Sequence, residues 1–238
     1  MGSEPEPKPS GVARREIAAR ARRVTKTFGS AASSSRQAVA LREVSVEIAR
    51  GEVSALMGAN GSGKTTLLRI LSGMASPSSG EVEVLGVSSP WRASGRDARQ
   101  MRARLSYLPQ DLALDPEMTG LETLGLMAAL YGLRAPQAED RLSEVADLFG
   151  LGEHLGKRIS GLSGGLRRRL HLACGLLHKA ELVCLDEPEA GLDAESRTAL
   201  WRALGARATG GAAVLVISHD PDAAVEHADR ALLLRDGR

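Results

Sequence analysis

The chain has 238 residues, which is enough for one large domain or two small ones. Hydrophobic residues make up 43% and charged residues 25%, as in ordinary soluble globular proteins, and the net charge of +2 argues against a general nucleic-acid binder. No apolar run approaches the ~18–20 residues that span a bilayer, and the N-terminus lacks the apolar core of a signal peptide. Cys174 and Cys184 lie in apolar stretches and are interpreted as buried free thiols, so we expect a cytosolic protein.

The first part of the chain is rich in proline and charge. We expect residues 1 to about 20 to form a flexible extension, with a helix over Arg14–Arg23 as the alternative. Small polar residues over Ser30–Gln37 predict a loop. Strands are predicted on either side of Arg50-Gly51, between Val39 and Met57, and over Glu81–Leu85.

A glycine-rich motif, Gly58-Ala59-Asn60-Gly61-Ser62-Gly63-Lys64-Thr65, stands between a predicted strand and a predicted helix that ends near Gly73. Its spacing matches the phosphate-cradling loop of nucleotide triphosphatases, and the flanking strand and helix disfavour an ordinary glycine-rich turn. Glycines let successive N–H groups turn inward as an anion nest, and the helix adds its positive N-terminal end. Lys64 is expected to reach the β- and γ-phosphates and the Thr65 hydroxyl to ligate Mg²⁺. The residues expected to contact the nucleotide are Gly58, Asn60, Gly61, Ser62, Gly63, Lys64, Thr65 and Thr66.

The middle of the chain is predicted to be helical. Thr119-Gly-Leu-Glu122 is a capping box that opens a helix to about Tyr131, and Pro136 starts a second helix to about Phe149. We therefore expect a mostly helical insert over about residues 88–165 between two α/β halves. After it, helices are predicted over Leu166–His178 and Ala194–Arg207, and strands over Glu181–Leu185, Ala212–Ile217 and Ala231–Leu234. These strands are apolar throughout, which indicates a parallel sheet buried on both faces.

Several polar residues follow predicted strands in this second half. Asp186 and Glu187 end an apolar strand, where Asp186 would hold a metal through its water shell and Glu187 would act as general base. Two surface acids are the alternative, which the upstream phosphate loop disfavours. Gln110 and His219 also stand at strand ends, and singly neither identifies a site.

A second glycine motif, Ser163-Gly164-Gly165, precedes a basic amphipathic helix. A serine and two glycines before a helix form an anion-binding construction, but a flexible N-cap is an equally good explanation when the motif stands alone.

Taken in order from about Val24 to Arg238, these motifs resemble the nucleotide-binding subunit of an ATP-binding cassette (ABC) transporter. The resemblance implies one role for each motif: Phe28 stacks on adenine, Gln110 senses Mg²⁺ and couples to the membrane partner, Ser163-Gly164-Gly165 is the family signature, Asp186 binds the metal, Glu187 is the catalytic glutamate, Gly191-Leu192-Asp193 crosses the dimer interface, and His219 is the γ-phosphate switch.

The resemblance also implies an architecture and partners. The fold would be the α/β P-loop NTPase fold, with a mostly parallel sheet flanked by helices, an N-terminal antiparallel β subdomain and the helical insert, all within residues 21–238. Two cassettes, identical or different, would form a head-to-tail dimer in which each ATP, with Mg²⁺, lies between one phosphate loop and the other subunit's Ser163. A separate transmembrane permease would hold the cytoplasmic cassette at the inner face of the cell membrane, and no specific nucleic acid is expected.

Two positions refine this resemblance. Leu166 stands where the family most often has glutamine, and with Arg167-Arg168-Arg169 it resembles exporter-type cassettes that serve drug, lipid or polysaccharide permeases. Glu189 stands where threonine is usual. If its carboxylate points inward it would slow hydrolysis or mark an asymmetric partner, and if it points outward it would have little effect.

Two other kinds of function stay open. One is a nucleotide-gated cassette with weak or no hydrolysis that partners an active subunit, which Glu187 argues against and Glu189 favours. The other is a non-transport cassette ATPase of chromosome maintenance or translation. The first of those carries long coiled coils, for which no heptad array exists here, and the second usually has two cassettes in one chain.

Overall fold

Two β-sheets with different hydrogen-bonding patterns frame the protein. The computed structural model describes residues 15–29, 38–111 and 114–238. Within these ranges the strands are β1 (Ile17–Phe28), β2 (Ala38–Ala49), β3 (Glu52–Met57), β4 (Ser79–Val84), β5 (Val87–Ser88), β6 (Leu105–Leu108), β7 (Leu182–Asp186), β8 (Ala213–Ile217) and β9 (Arg230–Leu233). The helices are α1 (Lys64–Leu71), α2 (Gly95–Ala103), α3 (Gly120–Leu130), α4 (Gln137–Leu148), α5 (Gly164–Leu176), α6 (Ala194–Thr209) and α7 (Pro221–His227).

The larger sheet is parallel throughout and has the order β6-β7-β8-β3-β9. Its central strands are buried on both faces, as their continuous apolar sequence predicts. Because all five strands run the same way, the segments that follow β3, β6, β7 and β8 leave the sheet at one edge. That edge carries the polar residues of interest.

The smaller sheet is antiparallel and has the order β2-β1-β4-β5. Arg20 faces Glu47 across β1 and β2, and the two side chains form a hydrogen-bonded ion pair of 2.7 Å. The predicted α/β fold with an N-terminal antiparallel subdomain is therefore confirmed.

Helix α1 is held between the two sheets. Its Leu67, Leu68 and Ile70 are buried in one hydrophobic core with residues of both sheets. Alternate residues of β7 divide between this core and a second one, so that Cys184 points to α1 and Val183 to the opposite face. The glycine-rich loop that precedes α1 is thus attached to a helix that is itself packed in the core.

The second core lies on the other face of the parallel sheet, under α3, α4, α5 and α6. Helix α3 begins with the predicted capping box: Glu122 N donates to Thr119 Oγ1 (3.2 Å), and Thr119 N donates to Glu122 Oε2 (2.8 Å). Cys174 and Cys184 are free and buried, as predicted. None of the helices in the described ranges has the length and apolar character needed to cross a membrane.

The structure corrects two expectations near the N-terminus. The helix proposed for Arg14–Arg23 is wrong, because Ile17–Phe28 is the strand β1, and the segment from Ile17 onward is ordered within the sheet. Ala19 and Ala21 face the core while Arg22 faces outward, and pairing with β2 on one side and β4 on the other favours the extended form. The rest of the predicted extension, residues 1–14, and the whole of the predicted loop Ser30–Gln37 lie outside the described residues.

The start of the helical insert also differs from the expected residue 88. Strand β6, at Leu105–Leu108, pairs in parallel with β7 and so belongs to the main sheet. The buried Leu105 and Leu108 account for this position. The helical insert, which contains α3 and α4, therefore begins after Leu108.

Candidate functional site

A cavity of about 540 Å³ opens at the edge of the parallel sheet where the strands end. It is lined by Ala40, by Asn60, Gly61 and residues 63–66 of the glycine-rich loop, and by Gln110, Glu187 and His219. The segments after β3, β6, β7 and β8 each supply part of its wall. The topology thus brings together four motifs, of which the first and last, at Asn60 and His219, are 159 residues apart in the sequence.

The loop before α1 has a conformation that glycine alone fits. Gly58 has φ 149° and Gly63 has φ 103°, and a Cβ at these positions would lie 2.2 Å from Leu234 O and 2.4 Å from Ala40 O. Gly63 is also the N-cap of α1 and supplies no side chain to the N–H groups of the first turn. Those groups and the helix dipole give this end of the cavity a positive character suited to an anion.

Lys64 adds a full positive charge to the loop. Its Nζ donates to Gly58 O (2.8 Å) and Ala59 O (3.0 Å), so that the ammonium group folds back over the loop. The Ser62 Oγ is buried without a hydrogen-bond partner in the described structure. An unpaired hydroxyl, a lysine and free helix N–H groups together fit a bound phosphate.

Asp186 lies at the end of β7, within reach of the first turn of α1. Thr65 Oγ1 donates to Asp186 Oδ1 at 3.3 Å. Burial raises the pKa of Asp186, which is only 2% exposed, and the hydrogen bond from Thr65 opposes this shift. A hydroxyl and a carboxylate are hard oxygen donors of the kind that Mg²⁺ takes, with water and phosphate oxygens as its other ligands.

The Glu187 carboxylate is held by two side chains from neighbouring strand ends. Gln110 Nε2 donates to its Oε2 at 2.7 Å, and His219 Nε2 lies 2.5 Å from its Oε1. Glu187 itself has φ 50°, a left-handed value that residues other than glycine adopt infrequently. The residue is thus oriented at both oxygens and faces the cavity beside the phosphate loop.

The family model of the ABC transporter matches residues 41–190, which contain the phosphate loop, Gln110, the second glycine motif and both acids. The chain belongs to the ABC transporter family.

Curated relatives of this cassette are named for resistance and export. It is 37% identical to the daunorubicin resistance ATP-binding protein DrrA3 of Streptomyces coeruleorubidus over 84% of the chain and 61% of that protein. It is 34% identical to the Nod factor export ATP-binding protein I of Rhizobium etli, over 90% and 64%. It is 36% identical to the doxorubicin resistance ATP-binding protein DrrA of Mycobacterium tuberculosis, over 90% and 62%. The chain thus spans 61–64% of the length of these three relatives.

Solved ABC cassettes share its fold. The ATP-binding subunit of an ABC transporter superposes with a TM-score of 0.81 and 27% identity, over 93% of this chain and 87% of that one. The cassette MJ0796, in a dimeric post-hydrolysis state with ADP and Pi, superposes with a TM-score of 0.80 and 26% identity, over 92% and 95%.

One further residue of this ABC cassette supports the site, although its sequence motif assigns it no role there. Arg168 on α5 is 5% exposed, and its guanidinium donates to the carbonyl oxygens of Gln110 (Nη1, 2.8 Å), Pro188 (Nε, 3.3 Å) and Glu187 (Nη2). Burial lowers its pKa, while the charges of Glu187 and Asp186 raise it. Arg168 thus joins the two loops that carry Gln110 and Glu187. The run of three arginines was the only sequence signal, and it does not say which one turns inward.

Several predicted site residues do not line the cavity. Gly58, Ser62 and Asp186 belong to the loop and the strand end that adjoin it, and three other groups belong to other elements. Ser163 is the N-cap of α5 and accepts from Leu166 N at 3.2 Å, with Gly164 and Gly165 following it. Asp193 is the N-cap of α6, and the hydrogen bond from Ser196 N lowers its pKa. Phe28, at the end of β1, is 50% exposed, and Lys26 Nζ lies 5.3 Å from its ring centroid. Their expected roles toward a nucleotide remain predictions.

Proposed function

We propose that this chain is the ATP-binding and ATP-hydrolysing subunit that powers transport, in the direction of export, through a separate membrane permease. The observation that carries the proposal is the Glu187 carboxylate, held by Gln110 and His219 and facing the phosphate loop in one cavity. A carboxylate oriented in this way next to a phosphate site is suited to activate water.

Nucleotide binding would rest on the phosphate loop. The loop N–H groups and Lys64 would receive the phosphates, while Phe28 would stack on the base. Thr65, Asp186 and Gln110 would hold Mg²⁺, which when bound supplies charge neutralisation on the phosphate oxygens. The exposed ring of Phe28 and the contact between Thr65 and Asp186 support these assignments.

Glu187 would take the proton of the attacking water on one carboxylate oxygen. Gln110 and His219 orient the carboxylate, so that the base is directed before the nucleotide arrives. His219, which also lines the cavity, would contact the terminal phosphoryl group as well. Their shared contact to Glu187 supports a common role for the two residues.

A second cassette would complete the site. Ser163, Gly164, Gly165 and Asp193 lie outside the cavity of their own chain, which supports a role toward a nucleotide bound by a partner. The dimeric state of the similar cassette MJ0796 supports the same arrangement. The partner is a second copy or a related cassette.

The direction of transport is proposed from the relatives. Three of them are named for drug resistance or for Nod factor export, and all resemble this chain over more than four fifths of its length. We therefore place the subunit on the cytoplasmic face of a membrane, bound to a permease that selects the cargo.

Phosphate release by the purified protein with Mg·ATP tests the enzymatic part of the proposal. We expect release from the parent and a loss of about 100-fold or more in Glu187→Gln, because a general base contributes 10²–10⁴-fold. Binding of a fluorescent ATP analogue should remain in that variant. Absence of release from the parent, alone and with its permease, would favour a cassette that binds without hydrolysing.

A further inference from the structure

Glu189 stands two residues after Glu187, and its side chain does not line the cavity. Its carboxylate accepts two hydrogen bonds, from Trp201 Nε1 to Oε1 (2.7 Å) and from Ser218 Oγ to Oε2 (2.6 Å). Both oxygens are therefore used within the chain. The Glu189 carboxylate therefore does not point into the cavity, and its position does not support the expectation that it slows hydrolysis by repelling the γ-phosphate.

The two donors belong to separate and well-packed elements. Trp201 on α6 is 3% exposed, and its indole packs in the core beside His227 of α7. Ser218 is 1% exposed and stands between β8 and His219. The Glu189 carboxylate thus connects the turn after β7 to α6 and to the segment that carries the histidine.

Ser218 extends this connection past the histidine. Its Oγ accepts from Asp220 N at 3.1 Å, and Asp220 caps α7 through the N–H groups of Asp222 and Ala223. His219 is therefore flanked by two residues whose positions depend on one hydroxyl. That hydroxyl is held by Glu189.

We propose that Glu189 is a positioning residue, which fixes His219 against Glu187 by holding Ser218. The inference rests on the proposed function, because the contact between His219 and Glu187 is the one assigned to hydrolysis. The two hydrogen bonds fix the direction of both carboxylate oxygens, and loss of the carboxyl group leaves a buried indole N–H and a buried hydroxyl without their acceptor. A threonine at this position cannot replace it, since its hydroxyl ends two bonds short of the carboxylate oxygens.

Three variants of the full chain separate geometry from charge. Glu189→Ala removes both acceptors. Glu189→Gln keeps the shape: its amide oxygen accepts from Trp201, and its amide nitrogen donates to Ser218, whose hydroxyl then donates to Asp220 O, already 3.3 Å away. Glu139→Ala, at an exposed glutamate of α4, is the matched control for loss of a surface acid.

Steady-state hydrolysis and hydrogen exchange of the nucleotide-free protein are measured on each. In Glu189→Ala we expect kcat to fall about tenfold and KM to change less than about twofold. The reason is that roughly the free energy of one hydrogen bond no longer holds His219 in place against Glu187. The Asp220 amide, which donates to Ser218 Oγ, should exchange faster in that variant while strands β3 and β8 keep their protection. Glu189→Gln should retain most of the parent's kcat and protection.

Three results would overturn the inference. One is an unchanged kcat in Glu189→Ala, another is a kcat in Glu189→Gln well above the parent's, which would mean that the charge inhibits, and the third is unaltered exchange at Asp220. If Glu189→Ala does not fold, Ser218→Ala breaks the same link and takes its place. If the parent releases no phosphate, the proposed function fails, and the exchange data alone decide whether Glu189 holds this segment.

Discussion

At the scale of single residues, the site depends on polar groups whose partners are fixed by the fold. Glu187 keeps a strained backbone and has one side-chain partner on each carboxylate oxygen. Such strain persists only where the surroundings over-determine it. Arg168 supplies part of that constraint on the backbone, because its guanidinium donates to the carbonyl oxygens of Glu187, Gln110 and Pro188.

Replacement of Arg168 by glutamine should therefore damage both stability and activity. We expect a loss of roughly 2–3 kcal/mol in the free energy of unfolding, because buried carbonyls lose a charged donor, together with a lower kcat. Urea-induced unfolding and phosphate release measure the two effects. Arg167→Gln, at the exposed neighbour, is the control and should change neither. Equal behaviour of the two variants would remove Arg168 from the site.

At the scale of elements, the sequence predicts correctly those helices and strands whose pattern is local, and it fails where the structure depends on pairing with distant strands. The capping box of α3 and the apolar strands β7 and β8 are local signals, and the structure has them where the sequence predicts. The alternating Ala and Arg residues of β1 also suit a helix, and only pairing with two neighbouring strands decides for the extended form. The sequence also predicts a strand that ends before Gln110, but its place in the main sheet depends on pairing with β7, which no local pattern contains.

The contact between the ends of α3 and α5 makes a prediction about pH. His178, just beyond α5, stacks on Tyr131 with 3.8 Å between ring centroids. Burial, and next the charge of Arg207, lower its pKa from the ordinary 6.5 to about 4. As the pH falls from 6.5 toward 4, the unfolded chain therefore binds a proton at this residue that the folded chain does not, and stability is lost over that window.

His178→Phe should keep the ring stacking and remove this loss. We expect its free energy of unfolding to fall less than the parent's between pH 6.5 and 4, by on the order of 2 kcal/mol. Urea unfolding across that range measures the difference, with the value at pH 7 as the reference for any change in packing. Parallel curves for the two proteins would show that the folded state takes up the proton as readily as the unfolded chain.

At the scale of the whole molecule, the parallel sheet explains why most of the residues that line the cavity could be predicted from the sequence. Strand ends of such a sheet meet at one edge, so residues that follow β3, β6, β7 and β8 converge whatever their separation in the chain. No such rule links Phe28, Ser163 or Asp193 to that edge, and a single chain leaves all three outside the cavity. Their proposed roles involve a bound nucleotide and a second cassette. Neither a local sequence pattern nor the packing of a single chain can predict contacts with those partners.

A crystal structure of the Glu187→Gln variant with Mg·ATP tests the central claim most directly. We predict a closed dimer with the triphosphate on the Gly58–Thr65 loop, Mg²⁺ beside Thr65 and Asp186, and the partner subunit's Ser163 within hydrogen-bond distance of the γ-phosphate. A triphosphate bound away from Lys64, or one with every signature serine far from its γ-phosphate, would contradict the account.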